Sequence, residues 1–260
     1  MLYSFEYDQA EGGTPMAALL EGTRVSKTFA GVKALADVDF SLAGGEVVGV
    51  IGPNGAGKST FINVLTGVYR PSTGRVVFDG ADVTRLSLAH RARLGIVRTF
   101  QGNRVFASLR LDDAIAVAAE SPRARRGERW PGDVVTDFGL AAYRGARIAD
   151  LPYGVQKVLN LALTALTKPR VLLLDEPFAG VHSEDVTRLS AIVERFRQEG
   201  VGVALVEHNI EALLRLADRV IVLDSGTQIF AGSPTEARHS DVVRTAYLGG
   251  GADAHTGAAQ

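Results

Sequence analysis

"GPNGAGKST", Gly52 to Thr60, decides how the rest of the chain is read. It follows an apolar run, "EVVGVI", and leads into "STFINVLTGV", a helix-friendly segment. A strand, a glycine-rich turn and a helix, in that order, is the setting in which G-x-x-x-x-G-K-[ST] cradles phosphate. Gly55 and Gly57 let the backbone curl so that successive N–H groups point inward, and the helix N-terminus adds its positive end. The predicted cradle therefore runs through Asn54, Gly55, Ala56, Gly57, Lys58, Ser59 and Thr60. The Lys58 ammonium reaches β- and γ-phosphates, and the Ser59 hydroxyl is a ligand for Mg²⁺.

Further along, "VLLLDE" is an apolar strand ending in two carboxylates, Asp175 and Glu176. An acid at the end of a strand is common in α/β chains and often only structural. Beside a phosphate loop, Asp175 becomes the natural holder of Mg²⁺ from behind its direct ligands or through a water, because hard cations prefer oxygen ligands. Glu176, one residue on, is placed to orient or deprotonate an attacking water. The pair points to hydrolysis of a nucleoside triphosphate.

Composition narrows the class. The 260 residues carry 28 Lys and Arg against 29 Asp and Glu, a formal charge of −1, which gives no bulk electrostatic case for nucleic acid. No cysteine is present, so disulfides and thiolate metal sites are excluded, in keeping with a cytoplasmic protein. No apolar run reaches the roughly 18 residues of a membrane span, and the N-terminus lacks the pattern of a secretory signal. The block "RARRGER", Arg123 to Arg129, reads first as a solvated loop and only second as a dock for an anionic membrane surface.

Apolar β-branched runs recur with helical segments between them: "EVVGVIG", "RLGIVRTF", "VLLLDE", "GVALVEH" and "RVIVLD". Several lack alternation, which suits strands covered on both faces in a mostly parallel sheet flanked by helices. "GTRVSKTF", "VDFSL" and "GRVVFDG" read instead as antiparallel pieces. Ser183 is the predicted N-cap of a helix with Val186, Leu189, Val193 and Phe196 on its apolar face, closed by Gly200. The predicted organisation is a disordered extension over 1–16, an α/β domain over 17–250 with a small helical subdomain inserted at about 102–165, and a disordered tail over 251–260.

Taken in order, "GPNGAGKST", Gln101 in "RTFQ", "LPYGVQK", "VLLLDEP" and His208 in "LVEH" resemble the motifs of the ATP-binding-cassette ATPases, over roughly Leu19 to Gly249. The resemblance implies a phosphate-loop ATPase fold with an antiparallel β subdomain and ATP with Mg²⁺ as its ligands. It also implies roles. Gln101 would sense Mg²⁺ and the γ-phosphate and face a transmembrane partner. His208, which alone reads equally as a core or capping histidine, would contact the γ-phosphate. Phe29 in "KTFAGVKAL", otherwise a core phenylalanine, would stack on adenine. Tyr153 and Gly154 would touch an ATP bound mainly by a second such subunit, the two packed head to tail.

A narrower resemblance joins "GIVRTFQGNRVFASL", "EPFAGV", "VEHNI" and "AYLG" to the ATP-binding subunits of branched-chain amino-acid importers. It implies a peripheral subunit on the cytoplasmic face of the cell membrane, membrane permeases as partners, and a solute-binding protein upstream of them. The alternative is a soluble cassette ATPase of the translation or DNA-repair type, although the second cassette or long coiled coil usual in those proteins is missing. Three features depart from the family pattern, one of them the shortness of the inserted helical region for these importers. Pro152, Tyr153, Gly154 and Val155 stand where the signature usually reads Ser-Gly-Gly-Gln, and His182 stands where most members have aspartate. Pro152 is the predicted first residue of its helix.

Overall fold

Two sheets share the phosphate-loop helix between them. The computed structural model describes residues 17–99, 108–128 and 130–248, so the predicted disordered ends, Gln101 and Arg129 lie outside the described residues. The chain runs β1 (Ala18–Phe29), β2 (Val32–Ala43), β3 (Val47–Ile51), α1 (Lys58–Thr66), β4 (Thr73–Phe78), β5 (Ala81–Asp82), α2 (Leu88–Leu94) and β6 (Ile96–Arg98). After β6 come α3 (Leu111–Ala119), α4 (Val134–Asp137) and α5 (Tyr153–Leu166). Then follow β7 (Val171–Asp175), α6 (Ser183–Gln198), β8 (Gly202–Val206), α7 (Ile210–Leu216), β9 (Arg219–Asp224), β10 (Thr227–Gly232), α8 (Pro234–His239) and α9 (Asp241–Leu248).

The larger sheet has the order β10-β9-β3-β8-β7-β6. Its pairings are parallel from β9 across to β6, and only β10 runs antiparallel, against β9. The smaller sheet, β2-β1-β4-β5, is antiparallel throughout. Both agree with the strands read from the sequence.

The missing alternation in the central strands has a direct cause. Leu172 and Leu174 face a core shared with α5 and α6, while Val171 and Leu173 face the core that holds Phe61, Ile62 and Leu65 of α1. A strand covered on both sides has no polar face to alternate with. Residue by residue, β3 and β8 divide in the same way.

Two helix starts differ by one residue from the sequence reading. His182, not Ser183, is the N-cap of α6, and its side chain makes no capping bond. Ser183 is already helical, with its carbonyl accepting from Thr187 Oγ1. Likewise Pro152 is the N-cap of α5, at φ −52° and ψ 146°, and Tyr153 is the first helical residue. Extended backbone suits an N-cap, so proline sits one position earlier than the usual preference.

The described part of the arginine-rich loop is largely exposed, as a solvated loop would be, with Arg125 and Arg126 open to solvent, while two of its arginines also reach the end of α2. Arg123 Nη1 donates to the Leu94 carbonyl at 3.0 Å, and Arg126 Nη2 donates to that of Arg93 at 3.2 Å. Both acceptors end α2, where cations suit the negative end of a helix. The loop therefore sits where β6 begins, away from its C-terminal end.

One buried cation holds α1 in place. Arg91 is fully buried, and its Nη1 donates to the carbonyls of Val64 and Leu65 at 2.9 and 2.7 Å, at the C-terminal end of α1. Burial depresses the guanidinium's pKa to about 10.

Candidate active site

Because β3, β6, β7 and β8 run parallel, their C-terminal ends meet at one edge of the sheet, the edge where open α/β sheets bind ligands. Register fixes which residues meet. Asp175 pairs with Val206 across β7 and β8, so Asp175 and Glu176 emerge beside Glu207 and His208. The phosphate loop leaves β3 next to β8.

The loop has the geometry that its sequence implies. Gly57 sits at φ 98°, a left-handed conformation that side chains disfavour. A Cβ there would also lie 2.6 Å from the Ala34 carbonyl oxygen, so the turn into α1 needs glycine twice over. Asn54, Gly55 and Ser59 are exposed and Thr60 is half-buried, while Ala56 tucks into the core. Lys58 is buried, and its Nζ donates to the loop's own carbonyls at Gly52 (2.7 Å) and Pro53 (3.0 Å). Burial lowers the Lys58 pKa, against the pull of Glu176 and Asp175 nearby.

Glu176 is held in a strained backbone, at φ 51°. For a non-glycine residue this costs on the order of 1–3 kcal/mol, and it persists only where the surroundings impose it. Here the Glu176 N–H donates to the Val206 carbonyl at 2.9 Å, and the Glu176 carbonyl accepts from Ala179 at 3.2 Å. The result aims the carboxylate at His208, with Oε1 and Nε2 2.9 Å apart. Both side chains stay partly exposed, the imidazole at 50%. His208 is therefore no core histidine.

Asp175 is buried at the end of β7, and burial raises its pKa despite the opposing charges of Arg98, Lys58 and His208. Its Oδ1 is buried without a hydrogen-bond partner. A desolvated carboxylate oxygen with nothing to accept is where a cation fits. Together with the exposed Ser59 hydroxyl, it supplies the oxygen donors that suit Mg²⁺, an ion that otherwise keeps waters and phosphate oxygens. Among the described residues no cluster of His, Cys, Asp and Glu forms a metal cage.

The remaining predicted residues lie on other elements, at the end of β1 and the start of α5. Phe29 ends β1 at 38% exposure, in edge contact with Tyr69 at 5.1 Å between ring centroids, so its ring is no core filler. Tyr153 is 51% exposed at the start of α5, with Gly180 against its ring. Gly154 is buried against the Asp185 carboxylate of α6, with no room for a Cβ between them. The first-turn N–H groups of α5 have no intrahelical acceptor, as at any helix start.

Three residues at this edge escaped the sequence reading. Arg98 reaches Asp175 Oδ2 at 3.4 Å and hydrogen-bonds Asn63 of α1. Glu207, buried, accepts from the N–H groups of Phe178 (2.5 Å) and His208 (3.1 Å), tying the strand-end loops together. Burial raises its pKa, although those N–H bonds oppose the rise. Charged residues closing the apolar runs "GIVR" and "VALVE" were the available signal for Arg98 and Glu207. Asn63 carried none.

A glycine-rich loop at a helix start, a buried lysine within it, and two carboxylates at the adjoining strand ends define a phosphate-loop nucleoside triphosphatase. Comparison with known proteins assigns the class more closely. The family described as ABC transporter matches residues 35–179, and the chain belongs to it. The branched-chain amino acid transport ATP-binding protein BraF of Pseudomonas aeruginosa is 32% identical over 249 residues, covering 89% of this chain and 98% of that one. The lipopolysaccharide export ATP-binding protein LptB of Acidithiobacillus ferridurans is 33% identical over 237 residues, covering 90% and 98%. Among solved structures, the ADP conformation of an ATP-binding cassette of an ABC transporter superposes with a TM-score of 0.80 at 27% identity, covering 90% of this chain and all of that one. The chain is an ATP-hydrolysing cassette of the transporter family.

Proposed function

We propose that this cassette drives an importer for branched-chain amino acids, acting on the cytoplasmic face of the membrane through separate permease subunits fed by a solute-binding protein. The observation that carries the solute class is the likeness along nearly the whole of BraF, a branched-chain amino acid transport protein. LptB is similar to the same degree, so solute is the point that experiment must decide. No helix among the described residues is long and apolar enough to cross a membrane, which suits a cassette that docks on others.

On this reading ATP lies with its adenine on Phe29 and its phosphates in the cradle of Asn54, Gly55, Ala56, Gly57, Lys58, Ser59 and Thr60. Lys58 exchanges its bonds to the Gly52 and Pro53 carbonyls for phosphate oxygens. Ser59 and Asp175, with Gln101, would hold Mg²⁺. When bound, the ion neutralises charge on the β- and γ-phosphates. Glu176 takes a proton from a water whose oxygen attacks the γ-phosphorus as the bond to the β–γ bridging oxygen breaks. His208, 2.9 Å from that carboxylate, orients it and meets the γ-phosphate. Tyr153 and Gly154 complete the ATP site of a second cassette, a copy or a paralogue.

Reconstitution tests the solute. The cassette should co-purify in detergent with a polytopic permease, and its ATPase rate should rise when the solute-binding protein carries leucine, isoleucine or valine. Stimulation by lipopolysaccharide instead, or co-purification with ribosomes or DNA ends, would overturn the proposal.

A further inference from the structure

We infer that Arg98 is a positioning residue for the metal site, clamping Asp175 so that a single carboxylate oxygen faces the cation. The inference rests on the reading that Asp175 holds Mg²⁺. Arg98 ends β6, and its side chain is 9% exposed against 5% for Asp175. Its guanidinium spans two elements, taking the Asn63 side chain of α1 with Nη1 and Asp175 Oδ2 of β7 with Nη2. Oδ2 is thereby engaged and Oδ1 left without a partner.

A carboxylate paired through one oxygen with a planar cationic donor 3.4 Å away is biased toward one orientation. The metal then meets it already oriented. Arg98 also supplies a cation beside the buried Asp175 carboxylate. Because Asn63 lies on α1, the helix that opens with Lys58 and Ser59, the clamp fixes Asp175 relative to the same helix that presents the Ser59 hydroxyl. The two residues proposed to hold Mg²⁺, directly or through water, are thus linked through one guanidinium. Outer partners of this kind typically change metal affinity about 10- to 100-fold when removed.

The test is a Mn²⁺ titration of the ADP-loaded protein, with free Mn²⁺ read by electron paramagnetic resonance, alongside ADP affinity measured without metal. Arg98→Met should weaken Mn²⁺ binding about tenfold and leave metal-free ADP affinity within about twofold. Arg98→Lys, which keeps the charge but not the planar fork, should recover only part of the loss. Unchanged or tighter Mn²⁺ binding in Arg98→Met overturns the inference, because the guanidinium would then be only a counter-ion that the metal displaces. Equal loss of metal-free ADP binding also overturns it, making Arg98 a strut of the phosphate loop. Should Arg98→Met fail to fold, Asn63→Leu decides: it releases the clamp from α1 and should weaken Mn²⁺ severalfold, whereas no change overturns the inference. Failure of the parent protein to bind Mn²⁺, or an Asp175→Asn variant that binds it normally, would instead remove the metal reading itself.

Discussion

Glu176 Oε1 meets His208 Nε2 at 2.9 Å, between residues that follow two neighbouring parallel strands. The contact joins a carboxylate on a strained backbone to an imidazole half open to solvent. Neither side chain is needed to fill the core. The strain at φ 51° is maintained by hydrogen bonds to Val206 and Ala179, so the backbone that carries the carboxylate is set by the strand ends themselves.

That geometry separates binding from turnover. Glu176→Gln keeps the shape and removes the proton acceptor, so it should bind ATP normally and lose at least about a hundredfold in rate, the lower part of the range for general-base removal. ATPase assays on the assembled complex, with trapped dimer measured by gel filtration, check both halves. Undiminished hydrolysis would take the base role away from Glu176.

Lys58 donates to two loop carbonyls and, among the described residues, has no carboxylate in hydrogen-bond contact, and burial lowers its pKa. Replacing it with methionine removes charge-assisted bonds to phosphate worth about 1.5–3 kcal/mol, so ATP affinity should fall roughly ten- to a hundredfold. Stability should move the other way. A base whose folded pKa lies below 10.5 carries a folding penalty while charged, fully present below the folded value and lost as pH rises toward 10.5. At neutral pH the Lys58→Met apoprotein should therefore melt no lower than the parent, and the parent should gain on it as pH climbs toward 10.5. A marked drop in melting temperature at neutral pH would show that the two carbonyl bonds outweigh the burial penalty.

How much of this was legible depended on whether a signal was local. The cradle, the strand ends and the class of sheet followed from contiguous patterns: glycine spacing, apolar runs of strand length, carboxylates closing one of them. Arg98 with Asp175 and Arg91 with Val64 were not legible, because each joins residues far apart in sequence through register and helix placement. Nor could the starts of α5 and α6 be placed to the residue. Proline and histidine there adopt the extended N-cap conformation without the side-chain bond that usually marks the position. The aromatic reading of Phe29 needed its exposure, which a β-strand residue next to a turn does not announce.

Pro152 occupies the N-cap of α5 and offers no side-chain oxygen. Pro152→Ser would add a cap, worth about 1 kcal/mol to this chain's own stability. On the proposed dimer it would also add a hydroxyl toward the partner's γ-phosphate, worth about 1.5–3 kcal/mol as a hydrogen bond to a charged group. The two effects are separable. Melting without nucleotide reports the cap, while ATP-driven dimerisation of a Glu176→Gln background should tighten roughly ten- to a hundredfold. A higher melting temperature with unchanged dimerisation would show that the backbone N–H groups of α5 suffice by themselves.

Gly154 and Asp185 give the sharpest internal test of the α5 start. The Asp185 carboxylate occupies the space where a Cβ at Gly154 would go, so the glycine is set by packing and not by backbone conformation. Gly154→Ala should gain helix propensity of about 1 kcal/mol and lose on the order of 1 kcal/mol to swinging the Asp185 side chain aside, leaving stability little changed. Asp185→Ala alone should cost only about 0.3–1 kcal/mol, since it removes an acid from the first turn of α6. In the double variant that loss disappears and the propensity gain remains, so chemical denaturation should reveal a coupling of about 1 kcal/mol. Simple additivity would mean that the Asp185 side chain swings aside without cost. It would also predict that Gly154→Ala leaves ATP-driven dimerisation intact, whereas a rigid α5–α6 contact predicts that dimerisation fails in Gly154→Ala and returns when Asp185 is removed.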